Sequence, residues 1–86
     1  MGLAEEIHQR LAPLEPLSLD IQDDSALHAG HAGSGGGAHF TLTVISSHFS
    51  GKSRIMRHRA IYQALNDLIP SRIHALSIQA YAPGEH

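Results

Sequence analysis

The chain has 86 residues, 42% of them hydrophobic and 16% charged, with no cysteine and a formal net charge of −2. That is enough for one small domain with a core of Leu, Ile, Val and Ala, burying about 60–65% of its extended surface. The missing cysteine excludes disulfides, a thiol nucleophile and any soft-metal site held by the chain's own thiolates, and the charge balance excludes a globally basic nucleic-acid footprint.

Leu3, Ile7 and Leu11 recur at helical spacing, so an amphipathic helix is predicted over residues 2–12, ended by Pro13. This stretch is too polar and acidic for a signal peptide, and Glu6 and Ile7 stand where a myristoylation signal takes Ser or Thr. No apolar run is long enough to span a membrane, so a cytoplasmic location is expected. From Leu17 the period becomes two: Leu17, Leu19 and Ile21 alternate with Ser18, Asp20 and Gln22, as in a half-buried strand. Asp23-Asp24-Ser25 then makes a turn.

Residues 26–38, ALHAGHAGSGGGA, hold five of the eight glycines and are expected to form a flexible loop carrying His28 and His31. It is longer than a hairpin requires. A second strand, His39 to Ser47, sets Phe40, Leu42 and Val44 on one face and Thr41, Thr43 and Ile45 on the other. After the turn SHFSG, a helix is predicted from Ser53 to Leu68. Its buried stripe is read as Ile55, Ile61, Leu65, Leu68 and Ile69, with Arg54, Arg57, Gln63 and Asp67 facing solvent. Pro70 ends it, with room for one short helical turn before Arg72.

Residues Ile73 to Tyr81 alternate again, with His74, Leu76, Ile78 and Ala80 on one face. The helix before them is then a crossover, which favours parallel pairing of the second and third strands. The end, APGEH over 82–86, is expected to fray. The order is α-β-β-α-(short α)-β: a single α+β domain over 1–86, with a small mixed three-stranded sheet and helices on one face.

Charge is divided along the chain: residues 1–43 carry one base against six acids, residues 44–86 five bases against two acids. Lys52, Arg54 and Arg57 crowd the start of the second helix, where the macrodipole is already positive. With His58 and Arg59 they form a candidate anion or phosphate site, although a solvated helix face explains them about as well. The alternative use of the patch is to grip an acidic partner surface or glutathione's carboxylates. With no aromatic residue among these cations to stack bases, nucleic-acid binding there would be weak, salt-sensitive and indifferent to sequence. Ser46, Ser47 and His48 suggest a nucleophile and base, but neighbours in an extended strand face opposite ways and no third orienting group can be placed. An enzyme is not expected.

Several pieces carry a resemblance: Asp24-Ser25 before the His/Gly loop, His39-Phe40, SSHFSG over 46–51, Arg57-His58-Arg59, Tyr62, and Ile73-His74-Ala75-Leu76. Together these make the chain similar to the BolA family over nearly its whole length. The resemblance implies a class II KH-like fold. It also implies a partner, a monothiol glutaredoxin, with which such proteins share a 2Fe-2S cluster. The glutaredoxin and its glutathione give thiolates, and the BolA-like protein gives the histidine of the His-Ala-Leu triplet and a His or Cys from the loop. Carried over residue by residue, these are His74 first and His28 second, with His31 close enough to compete. Gly37 and Ala38 depart from the family pattern, which has an acidic residue shortly before the His-Phe pair.

Read alone, His74 is a satisfied structural histidine; with the resemblance it becomes a metal ligand, one ring nitrogen outward and the other fixed. Two imidazoles completing a cluster otherwise held by thiolates resemble a Rieske centre, and such ligation weakens as imidazoles protonate. The expected function is therefore a non-enzymatic adaptor in iron sensing or cluster delivery, carrying no cluster when alone. It would be a monomer or weak homodimer by itself. The alternative is a DNA-binding transcriptional regulator working through the basic helix.

Overall fold

Helices α1 (Leu3–Leu11) and α2 (Arg54–Ala64) cover one face of a sheet formed by β1 (Ser18–Asp23), β2 (Ala38–Ile45) and β3 (Ile73–Tyr81), in a computed structural model that describes residues 2–24, 38–69 and 71–85. The strand order is β1-β2-β3, antiparallel between β1 and β2 and parallel between β2 and β3. This is the mixed α+β architecture that the alternating periodicities predict. Among the described residues no helix is long and apolar enough to cross a membrane.

Two-residue alternation decides which face meets the helices. Phe40, Leu42 and Val44 of β2 are buried, opposite Leu76, Ile78 and Ala80 of β3, while Leu19 and Ile21 of β1 face Val44 and Leu42. Ile7 and Leu11 of α1 and Ile61 of α2 close the core from above, with Leu65 just beyond α2. Thr41, Thr43 and Gln79 lie on the other, open face, where Thr43 Oγ1 donates to Gln79 Oε1 at 3.3 Å. Arg10 of α1 is bonded to Asp67 and Arg72 to Glu6, so ion pairs fasten α1 to the α2–β3 connection.

The phase of α2 differs from the sequence expectation. Ile55 is 66% exposed, because it precedes Ile61 by six residues and so lies about 120° around the helix from it. The inward position four residues before Ile61 belongs to Arg57, whose side chain is only 12% exposed. The helix also ends at Ala64 rather than Leu68, and the extra turn expected between residues 70 and 72 is found at Asn66–Leu68 instead. In that tighter 3₁₀ turn residues three apart align, which brings Leu68 into the core with Leu65. Pro70 lies outside the described residues.

Residues 82–85, expected to fray, are tied down. Ala82 is buried, its amide donates to Glu85 Oε1 at 2.9 Å, and the Glu85 carboxylate is held by Arg57. Gly84, with φ +89°, makes the reversal that brings Glu85 back.

Ser46, buried at the end of β2, donates from Oγ to Leu14 O at 2.5 Å and accepts from the His48 amide at 3.1 Å. It thereby joins the segment after α1 to the Ser47–Phe49 turn, whose Phe49 is fully buried.

Candidate functional site

One candidate lies where β3 begins. Ala38 pairs with Ile73 and His39 with Ala75, so His74 is an extra residue in β3 and the ladder carries a bulge. Buried Ile73 and core-packed Leu76 thus stand three residues apart, and His74 does not share the face of Leu76 and Ile78 that plain alternation assigns it. It is exposed, with its ring centroid 5.2 Å from that of His39 and the two planes 46° apart. His39 follows from the fold and not from the motif. It immediately precedes the first core residue of β2, and parallel register sets that position beside the start of β3.

The same corner holds both described ends of the histidine-bearing segment. The Asp24 amide donates to His39 O at 2.7 Å, and the Asp24 carboxylate accepts from Thr41 Oγ1 at 2.5 Å and Gln22 Nε2 at 2.7 Å. On the far side the Ala38 amide donates to Arg72 O at 3.2 Å. Asp24 therefore fastens this corner in a chain whose Gly37 and Ala38 supply no carboxylate. His28 and His31, in the loop expected over 26–38, lie outside the described residues, and only Ala38 of that loop is described, as the first residue of β2. Among the described residues no three His, Cys, Asp or Glu side chains converge to hold a metal.

A second candidate is the cleft between the start of α2 and β3. It has a volume of about 570 Å³ and is lined by Lys52, Arg54, Arg57 and His58, by Ile78 to Tyr81, and by Glu85. Gly51, at φ +77°, turns the chain into this helix, and Ser53 caps it, its Oγ accepting from the Met56 amide at 3.2 Å. Lys52 and Arg54 are exposed and form no ion pair among the described residues. Arg59 is exposed and does not line the cleft.

Arg57, expected to face solvent, is instead engaged on all sides. Its Nε donates to Lys52 O at 2.9 Å, its Nη1 to Ala80 O at 3.1 Å, and its two Nη atoms grip Glu85 at 2.5 and 3.0 Å. The hydrogen bonds from Arg57, then the Ala82 amide, hold the Glu85 carboxyl down to about 2, and Glu85 in turn raises Arg57 above its ordinary value. The cleft therefore brings together Lys52, Arg54, Arg57 and His58 but not Arg59, and its most sheltered cation already has a carboxylate.

The third constellation separates. The Ser46 hydroxyl is spent on Leu14 O, while the exposed His48 ring lies 3.0 Å from Glu15 Oε1.

A family model described as BolA-like protein matches residues 11–85. SufE-like protein 1 of Arabidopsis thaliana, named chloroplastic/mitochondrial, is 43% identical over 99% of this chain and 24% of its own length. A Haemophilus influenzae protein named DNA-binding transcriptional regulator BolA is 33% identical over 99% of this chain and 82% of its own length. Among solved structures, the BolA domain of SufE1 from Arabidopsis thaliana matches with a TM-score of 0.84 at 42% identity, covering 100% of this chain and 99% of that one. The chain spans 24% to 51% of the length of the plant and mouse relatives it matches.

Proposed function

The chain belongs to the BolA-like family, and on that premise we propose that it is a non-catalytic adaptor that binds a monothiol glutaredoxin and co-ligates a shared 2Fe-2S cluster, in iron sensing or cluster delivery. The observation that carries this reading is the position of His74: exposed at a bulge, on a rigid strand, with a second imidazole beside it. A bulge re-aims a side chain that strict alternation would turn toward the core. The donor set suits a shared cluster. With no cysteine, this chain offers imidazole nitrogens but no thiolate, so the thiolates would come from the glutaredoxin and glutathione. A bound cluster would supply the redox and iron chemistry, and His74 with one further imidazole would hold it from this chain's side.

Three residues compete for the second nitrogen. His28 and His31 are the loop ligands that the family resemblance implies, and His28 stands four residues after Asp24, within about 14 Å of extended chain. His39 is the neighbour that the fold supplies. The test is anaerobic cluster reconstitution of a monothiol glutaredoxin and glutathione, with and without this chain, followed by visible circular dichroism. A new spectrum that His74→Ala abolishes supports the adaptor, and substituting His28, His31 and His39 in turn identifies the second ligand. A spectrum unchanged by adding the chain removes the metal role.

A second reading, DNA binding through the start of α2, is favoured by Lys52 and Arg54 on one cleft rim, without ion-pair partners among the described residues, and by the name of the Haemophilus relative. Its cations are Lys52, Arg54 and Arg59, with His58 at the rim and Arg57 committed to Glu85. Replacing Lys52 and Arg54 by Ala would reduce the salt dependence of DNA retention by about one phosphate contact each. Retention that ignores both substitutions would dispose of this reading.

A further inference from the structure

The cleft beside α2 contains more than loose surface cations. The Arg57 guanidinium is positioned by two backbone carbonyls, Lys52 O and Ala80 O, which do not depend on what occupies its fork. Its remaining N–H groups receive a carboxylate in two-pronged fashion, the geometry that separates arginine recognition of a planar anion from simple charge attraction. The carboxylate arrives on a short turn whose backbone amide at Ala82 also binds it. Lys52 and Arg54 stand at the rim without partners among the described residues, so the cleft holds more positive charge than Glu85 neutralises.

We propose that this cleft is a binding site for a carboxylate on an extended acidic segment of a partner protein, and that Glu85 is its built-in occupant, displaced when the segment binds. The bound group in the structure is a peptide-borne carboxylate, which favours an acidic polypeptide over a phosphate backbone. The arrangement also sets the affinity. A tethered competitor acts at a millimolar-scale effective concentration, so an external carboxylate binds more weakly than it would to an empty fork. This site uses none of the candidate cluster ligands His28, His31, His39 and His74, and its failure leaves the cluster reading untouched.

The test measures binding of a fluorescently labelled peptide of alternating glutamate and valine by anisotropy. Four forms of the full chain are compared: the wild type, Glu85→Gln, Glu5→Gln, and Glu85→Gln combined with Arg57→Lys. Glu85→Gln replaces the charge-assisted, two-pronged contact by a weaker neutral one and is expected to tighten binding about tenfold. Glu5→Gln removes the same charge from α1, which does not line the cleft, and is expected to leave binding within twofold of wild type. Arg57→Lys keeps the charge but loses the fork, and is expected to abolish the gain. No gain from Glu85→Gln, an equal gain from Glu5→Gln, or a gain that survives Arg57→Lys overturns the proposal. So does a single-stranded oligonucleotide of matched charge that benefits from Glu85→Gln as much as the peptide does, which would assign the fork to phosphate.

Discussion

The Glu85 carboxylate lies in the fork of Arg57, Oε1 at 2.5 Å from Nη1 and Oε2 at 3.0 Å from Nη2, joining residues 28 apart in sequence. It converts the end of the chain from a loose strand extension into a closed turn over buried Ala82. It also fills the place where the basic helix would first meet an anion.

Acid should undo this clasp. Because the folded chain holds the Glu85 carboxyl down to about 2 against an ordinary 4.5, its contribution is fully present above 4.5 and disappears as the pH falls through about 2. The melting temperature of Glu85→Gln is expected to lie below wild type at neutral pH and to converge with it near the lower limit. Thermal melts across that range check this; a gap that persists in strong acid would place the effect elsewhere.

The corrected phase of α2 separates two isoleucines. Ile61→Ala empties a fully buried position and should cost about 2–5 kcal/mol, a large share of the roughly 5 kcal/mol expected for so small a domain. Ile55→Ala, at an exposed position, should change stability by no more than about 0.5 kcal/mol. Urea denaturation of both variants distinguishes this phase from one in which Ile55 is buried.

Ser46→Ala leaves Leu14 O without its donor at a buried junction. A loss of about 1–3 kcal/mol is expected by denaturant titration. A neutral result would mean that the segment after α1 needs no such anchor.

His74→Ala should leave stability within about 0.5 kcal/mol of wild type, since the ring is exposed, while removing the visible dichroism of the glutaredoxin mixture. A variant that unfolds as it loses the spectrum would show a structural histidine instead. Melts and spectra on one preparation decide between the two.

Element order, most strand faces and the parallel crossover were legible in the sequence, because periods of two and 3.6 are written directly into positions such as Phe40, Leu42 and Val44 or Ile7 and Leu11. Leu17, read with Leu19 and Ile21, instead precedes β1 and is 71% exposed. What escaped were features that depend on distant partners. The burial of Arg57 is invisible without Glu85 and Ala80 O, since hydropathy alone sends an arginine to solvent. The bulge at His74 is a property of two paired strands, and no single strand announces it. His39 therefore looked like part of a motif, although the register places it against His74. Ile55 was misplaced for a simpler reason: its six-residue spacing to Ile61 does not fit a helical face.

β3 is an outer strand nine residues long, the kind of exposed border on which another chain can add a strand. Two of its outward carbonyls are already taken by side chains of α2: Ala80 O by Arg57 and Leu76 O by Tyr62, whose hydroxyl lies 3.4 Å away. A foreign strand zipping onto this border would have to evict both donors. The helix that lends the domain its basic rim thus also guards it against aggregation.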